Sequence, residues 1–191
     1  MSRPSGQTTD VEPLEQWEYL LILSHLAAHW RLCYELLWES GLRIGEALAI
    51  KRSDLSDNGA WVVSEKRSDH LRVHIPLSVG LYSRLRVYAL SHKGERVWEF
   101  TSAAAWLALK KAAIKAGVRI SGGTTTIHPH LFRHGFGRRV VKTDMGGKSA
   151  LEQLTLVKEM MRHKSLQSTQ RYINPTKSDV SDAFREVNKG I

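Results

Sequence analysis

The hydrophobic periodicity changes once along the chain, and this change limits the folds that are possible. Up to about residue 50 and again after residue 78, apolar residues recur at the spacing of amphipathic helices. In between, Leu71, Val73 and Ile75 alternate with polar residues and follow the apolar run at 61–63. This period of two predicts a hairpin with one buried face. The sequence therefore predicts a mainly α fold with a small antiparallel β-hairpin or sheet.

Capping residues set the boundaries of the predicted helices. Ser78 and Thr101 are suited to N-caps, Pro129 to a first turn, and Gly41 and Gly117 to helix ends. The predicted helices span residues 13–27, 29–40, 43–49, 78–91, 102–116, 129–143, 150–162, 168–173 and 179–188, with an extended piece at 97–100. The first helix is expected to bury Leu14, Trp17, Leu20, Leu21 and Leu26.

One domain is expected, because no linker or repeat divides the chain. Residues 1–12 are predicted to be a flexible tail, 13–177 the domain, and 178–191 a C-terminal helix or tail. No apolar run approaches the ~20 residues of a membrane span. The single cysteine, Cys33, excludes an intramolecular disulfide and argues against a thiolate zinc site, which favours a reducing, intracellular setting.

The charge balance favours a polyanionic partner. The chain holds 28 Lys and Arg against 19 Asp and Glu, a net charge of +9. Residues 128–172 contain nine of the basic residues and three of the acidic ones, so this segment carries +6. Nucleic acid is the first candidate for such a partner. A solvated basic face is the alternative.

Three segments contain the residues with chemical potential: SGLRIGEALAIKRSDL at 40–55, HPHLFRH at 128–134 and MRHKSLQSTQRYIN at 161–174. They closely resemble the motifs of the tyrosine recombinase (phage integrase) family. That family has an arginine followed three residues later by an acid, then H-x-L-R-H, then a histidine nine residues before the nucleophilic tyrosine. The matching residues are Arg43 with Glu46, His130 with Arg133, and His163 with Tyr172.

The resemblance covers about residues 30–175 and implies the family's catalytic-domain fold. It also implies a catalytic lysine in the hairpin, where Lys66 fits and its neighbour Arg67 is a rival. Departures are Phe132 for the usual leucine, Gly135-Phe136 for Thr-Phe, and Met-Arg-His at 161–163 for Leu-Gly-His. Only some 12–40 residues precede the first motif's helix. The chain therefore resembles short members such as the fimbrial-switch recombinases, or a catalytic domain alone.

The matched residues suit attack on a phosphodiester. The guanidiniums of Arg43 and Arg133 can hold the nonbridging oxygens with forked donors. Tyr172 supplies an oxygen nucleophile and would form a covalent phosphotyrosyl link. Because a phenol has a pKa of ~10, it needs a base or a strongly positive site, and His130 can be that base or a phosphate donor. Alanine at either arginine is expected to slow the chemistry and to leave the fold intact.

The remaining candidates complete the reaction. Lys66 would protonate the leaving 5′-oxygen, and His163 would donate to the phosphate. Glu46 is expected to support Arg43 through a carboxylate–guanidinium pair, and His134 to support the site by hydrogen bonding. No metal and no other cofactor is expected, since positive side chains neutralise the phosphate.

Two alternatives concern the histidines and the basic residues. His128, His130, His134 and His163 could suggest a metal site, but no carboxylate or thiolate falls at ligand spacing and the resemblance accounts for them. The run at 138–142 either tracks the DNA backbone or is a solvated face. The predicted DNA-contacting residues are Arg67, Arg138, Arg139, Lys142, Lys164 and Arg171.

The resemblance implies a site-specific recombinase that cuts and rejoins double-stranded DNA at a specific site through a Holliday junction. It implies a monomer in solution and a homotetramer on DNA, in the cytoplasm of a prokaryote and associated with its nucleoid. A type IB topoisomerase-like enzyme and a non-cleaving DNA-binding regulator are the alternatives. A pure binder would need neither Tyr172 nor its catalytic partners. The helix within 178–191 either packs on its own domain or docks on a neighbouring protomer.

Overall fold

A computed structural model describes residues 12–63, 72–121, 124–143 and 146–162, together with Arg185. The helices in these ranges are α1 (Gln16–Ser24), α2 (Ala28–Ser40), α3 (Ile44–Ala49), α4 (Val79–Leu90), α5 (Ser102–Ala116), α6 (His130–Lys142) and α7 (Ala150–Met160), with a short 3₁₀ turn at Arg52–Asp54. The strands are β1 (Leu55–Ser56), β2 (Gly59–Val63), β3 (Arg72–Pro76), β4 (Ile120–Ser121) and β5 (Thr124–Thr125). The prediction of a mainly α fold with a small antiparallel sheet is confirmed.

Helix α2 lies at the centre of the core and contacts α3, α4, α5 and α6. Its buried face includes Leu32, Cys33, Leu36 and Leu37. The helix ends at Gly41, which has a φ of +63° and donates its N–H to the Leu37 carbonyl. The first motif begins at this turn, so the core itself holds the start of the motif in place.

The buried face of α1 differs from the prediction. Of the predicted residues, Leu14 and Leu26 are buried, whereas Trp17, Leu20 and Leu21 are exposed. The helix buries Glu18, Tyr19, Ile22 and Leu23 instead. The Tyr19 ring stacks on Trp38 with centroids 4.3 Å apart, and Glu18 forms a 2.7 Å ion pair with Arg119. These partners favour burial of two polar residues, and periodicity among aliphatic residues does not detect them.

The predicted hairpin is confirmed in strands β2 and β3. They pair in antiparallel register, with Ala60 opposite Ile75 and Val62 opposite Val73. A third strand, β1, was not predicted because two residues are too few for a periodic signal. It pairs with β2 through a tight turn at Asp57–Asn58, where both residues have positive φ, as a type I′ turn requires.

Boundaries that depend on local capping also agree with the prediction. The hydroxyl of Ser78 accepts from the Leu81 N–H, that of Thr101 accepts from the Ala104 N–H, and Gly117 ends α5 with a φ of +68°. The predicted extended piece at 97–100 forms no strand. In the part of the chain that is described, no helix has both the length and the apolarity to cross a membrane.

A second apolar cluster joins α6 to α7. Phe136 and Val140 of α6 pack with Val157 of α7 and with Met161, the residue that follows α7. The apolar residues Leu156 and Met160 of α7, in contrast, lie on the exposed side. The cluster brings the start of the third motif against the helix that carries the second.

Candidate functional site

The turn of the first motif packs directly on α6. A Cβ atom at Gly41 would collide with the ring of Phe136, and the positive φ at Gly41 also disfavours any side chain. Glycine is therefore required here for two independent reasons. Since Arg43 follows two residues later, this close approach brings the first motif next to the second.

Arg43 and Glu46 form the predicted carboxylate–guanidinium pair. Arg43 Nη1 donates to Glu46 Oε1 at 2.7 Å, and the Arg43 backbone N–H donates to Glu46 Oε2 at 2.9 Å. Both bonds span the first turn of α3, so they fix the side chain and the backbone of Arg43 together. The Glu46 side chain is fully buried, whereas 16% of the Arg43 side chain is exposed. Arg43 is thus held firmly and still has access to solvent.

Arg133 is positioned differently from the sequence expectation. It is 1% exposed, and its Nη1 donates to the Gly41 carbonyl at 2.5 Å while its Nη2 donates to the Met161 carbonyl. One side chain on α6 therefore connects the turn before Arg43 with the turn at the start of the third motif. The expectation that alanine here leaves the fold intact does not fit this burial. Motif spacing identifies a cation but not the carbonyl groups that other segments bring to it.

Arg162 is a member of this network that the sequence analysis missed. Its Nη2 lies 3.3 Å from Glu46 Oε2 and 3.3 Å from the Gly41 carbonyl, and its Nη1 donates to the Met160 carbonyl at 3.2 Å. The residue is 7% exposed and has a φ of +52°. The sequence contains one signal for it: an arginine at the position where the family that the chain resembles usually has glycine.

The charges around Glu46 stabilise its ionised form. Burial raises the pKa of Glu46, but the guanidinium of Arg162 and the backbone N–H and guanidinium of Arg43 together hold this pKa below its usual value. Burial and the nearby Arg43 lower the pKa of Arg162, and Glu46 opposes them. A buried carboxylate thus lies between two arginines, one from the first motif and one from the third.

The histidines of the second motif gather at the start of α6. His130 is exposed and His134 is buried, and their rings meet edge to face with centroids 4.6 Å apart. The His128 ring lies 6.5 Å from that of His130, and burial together with Arg119 lowers the pKa of His128. Among the described residues, no group of three or more His, Cys, Asp or Glu could hold a metal ion.

The basic residues further along α6 do not share one environment. The Arg139 guanidinium lies 3.7 Å from the centroid of the Trp38 ring and donates to the Trp38 carbonyl at 2.5 Å. Burial lowers the pKa of Arg139 to about 10. Arg139 therefore packs against α2, and the predicted phosphate contact does not fit it. Arg138 is half-buried, and Lys142 is exposed at the end of the helix.

Strands β2 and β3 lead towards the site. A cavity of about 380 Å³ is lined by Glu46 of α3, by Val63 at the end of β2 and by Arg72 at the start of β3. The segment that carries the predicted lysine connects these two strands. The predicted site residues that lie outside the described ranges are Lys66, Arg67, His163, Lys164, Arg171 and Tyr172.

Comparison with known proteins identifies similar sequences and folds. A sequence model described as the Phage integrase family matches residues 13–179. Tyrosine recombinase XerD of Rhizobium meliloti (strain 1021) is 25% identical over 165 residues, which cover 78% of this chain and 48% of that protein. The crystal structure of XerA recombinase superposes with a TM-score of 0.70 at 18% identity and covers 98% of this chain and 67% of that one.

A lambda integrase dimer bound to a COC′ core site superposes with a TM-score of 0.69 at 19% identity, covering 91% of this chain and 51% of that one. At these identities the structural likeness establishes the fold. The predicted catalytic-domain fold is thereby confirmed. The chain spans about half the length of the curated relatives it matches.

Proposed function

The chain belongs to the phage integrase family, and from this we propose that it is a site-specific recombinase that cleaves and rejoins DNA through a 3′-phosphotyrosyl intermediate. The observation that carries the proposal is the convergence of three motifs on one buried network. Arg133 of the second motif binds the turn that leads into Arg43 and the turn that leads into His163. Segments far apart in sequence thus meet, which supports a shared site for cleavage of a phosphodiester.

In this proposal the two arginines bind the scissile phosphate in different ways. Arg43 is partly exposed and is held by Glu46, so it can contact a nonbridging oxygen without rearrangement. Both terminal nitrogens of Arg133 already donate to carbonyl groups. Arg133 is also only 1% exposed, so it is less accessible to a phosphate than Arg43. This difference supports Arg43 as the initial phosphate ligand.

Proton transfer is assigned to His130 and Lys66, and a hydrogen bond to the phosphate is assigned to His163. His130 is exposed at the first residue of α6, where it can accept the phenolic proton or donate to the phosphate. Lys66 would protonate the leaving 5′-oxygen. The cavity that Glu46 shares with Val63 and Arg72, the ends of the two strands that flank the lysine segment, supports this role. His163 would donate to the phosphate. Each of these roles compensates charge at the reacting oxygens without a metal ion.

Tyr172 is proposed as the nucleophile. The other four tyrosines lie in the described ranges on helices α1, α2 and α4. Burial raises the pKa of Tyr19 to about 12 and raises those of Tyr34 and Tyr88. Tyr34 also donates its hydroxyl to the Ala105 carbonyl at 2.8 Å. These environments disfavour the phenolates of Tyr19, Tyr34 and Tyr88, and Tyr82 is only 8% exposed, which gives its hydroxyl little access to DNA. The tyrosine of the third motif is therefore the best candidate.

We propose double-stranded DNA with a specific recombination site as the substrate. The +6 segment and the relative bound to a core site support this choice. We further propose that the protein is monomeric when free and forms a homotetramer on two duplexes, as strand exchange through a Holliday junction requires. Its setting would be the cytoplasm of a prokaryote, in contact with nucleoid DNA.

The proposal is tested by trapping the covalent intermediate. The protein is incubated with nicked duplexes of randomised core sequence, in which cleavage releases a short strand and prevents religation. Wild type should give a protein–DNA adduct that survives denaturing electrophoresis, and sequencing the trapped DNA should return one site. Tyr172→Phe should bind that DNA normally and form no adduct, because it lacks the attacking oxygen.

Tyr88→Phe is the matched control, since Tyr88 is a partly exposed tyrosine on α4. It should form the adduct as wild type does. An adduct formed by Tyr172→Phe would refute the assignment of the nucleophile. Trapped DNA without any shared sequence would indicate cleavage without site selection.

A further inference from the structure

Arg162 occupies an unfavourable backbone conformation. Its φ of +52° lies in the left-handed region, which glycine adopts easily and residues with a Cβ rarely adopt. Its Nε is buried and has no hydrogen-bond partner within the described residues. Such costs persist only where the surrounding structure compensates for them. Within the described residues, the hydrogen bonds of the guanidinium provide such compensation.

Among the described residues, those contacts lead to the first motif and to the end of α7. Arg162 Nη2 reaches the buried carboxylate of Glu46 and the carbonyl of Gly41, each at 3.3 Å, and Nη1 binds the Met160 carbonyl. The other carboxylate oxygen of Glu46 accepts from Arg43 Nη1 at 2.7 Å. Arg162 therefore acts on both sides of Arg43: on the turn before it and on the carboxylate that holds its guanidinium.

We propose, on the basis of the proposed function above, that Arg162 is a positioning residue that holds Arg43 towards the scissile phosphate through Glu46 and Gly41. The same contacts tie the turn that leads into His163 to the first motif. Assembly of the third motif is then coupled to the placement of the phosphate-binding arginine. Without Arg162, Glu46 keeps one guanidinium partner and the Gly41 turn loses one of its two arginine donors.

The test compares cleavage of two substrates under single-turnover conditions. Both are the nicked duplex recovered by the trapping experiment, one with a phosphodiester and one with an uncharged methylphosphonate at the scissile position. A methylphosphonate lacks one charged oxygen, so it depends less on an arginine that binds such an oxygen. Arg162→Met should cleave the phosphodiester about 100-fold more slowly, as for a small misplacement of a catalytic group.

On the methylphosphonate this deficit should shrink, as it should for Arg43→Ala. Arg162→Lys keeps the charge and should recover part of the rate on the phosphodiester. Arg119→Met is the matched control, because Arg119 also has a positive φ, of 54°, and binds a buried glutamate, Glu18. It holds α1 and not the first motif, so it should lower the melting temperature; because Arg119 also acts on the pKa of His128, the control readout is the ratio of the two cleavage rates, which should equal that of wild type.

Wild-type cleavage by folded Arg162→Met would overturn the inference, and so would an equal deficit on both substrates, which indicates a purely structural role. If Arg162→Met does not fold, Arg162→Lys takes its place: a deficit that shrinks on the methylphosphonate supports the inference, and any other result overturns it. Absence of an adduct from wild type would instead refute the proposed function.

Discussion

Replacing Arg133 by alanine should destabilise the protein strongly. The substitution removes the donors to the Gly41 and Met161 carbonyls from a site that is 1% exposed. A buried polar group left without its partner costs about 1–3 kcal/mol. Gly41 retains Arg162 as a donor at 3.3 Å, so the Met161 carbonyl bears most of this cost. Loss of the buried aliphatic stem adds a cavity term of about 2 kcal/mol or more.

Together these effects predict a loss of about 3–5 kcal/mol in the free energy of unfolding, measured by urea denaturation. For a protein of this size that corresponds to a decrease in melting temperature of roughly 6–20 °C. Arg43→Ala is the matched comparison: it leaves Glu46 paired with Arg162 and should cost only about 1–2 kcal/mol. If Arg133→Ala is as stable as wild type, or Arg43→Ala is the less stable variant, the assignment of Arg133 as a buried tie between motifs is wrong.

Three further predictions concern pH, salt and the C-terminus. Glu46→Gln should lose about 1.5–3 kcal/mol at neutral pH. The pKa of Glu46 in the folded state lies below its usual value. The stability difference between wild type and Glu46→Gln should therefore be complete above about pH 4.3 and vanish as the pH falls through the folded pKa. A pH-independent difference in urea melts would contradict this prediction. DNA affinity should fall with salt at a log–log slope near −4.5 if about five phosphates are neutralised, and a flat titration would mean that the +6 segment faces away from DNA. Deletion of residues 178–191 should leave a folded, DNA-binding protein that forms adducts poorly and does not recombine, whereas wild-type strand exchange would mean that the segment belongs to its own core.

Much of the fold follows from local sequence signals. Ser78, Thr101 and Gly117 set helix boundaries through bonds within one turn, and the alternation at 71–75 identified a strand of the sheet. The resemblance of the first motif likewise predicted the ion pair of Arg43 with Glu46, and the two residues are neighbours on one helical turn. In each case the interacting groups are close in sequence, so the chain itself contains the information.

Other features were decided only by tertiary structure. The buried face of α1 depends on Trp38 and Arg119, which lie in distant segments and provide partners for a tyrosine and a glutamate. Arg139 is of a residue type that commonly contacts DNA, but its guanidinium packs on an aromatic ring of α2.

The motifs in the sequence predicted the candidate site residues except Arg162, because motifs specify residue type and spacing, and Arg162 departs from the motif. Only the tertiary structure decided which of the arginines are buried. Arg133 and Arg162 lie inside the network, since the turn at Gly41 and the end of α7 bring backbone carbonyls and the Glu46 carboxylate to the same place. Arg43 keeps access to solvent at its edge. The direction of a long cationic side chain depends on hydrogen-bond acceptors contributed by distant segments, and no local sequence pattern specifies which acceptors will be near it.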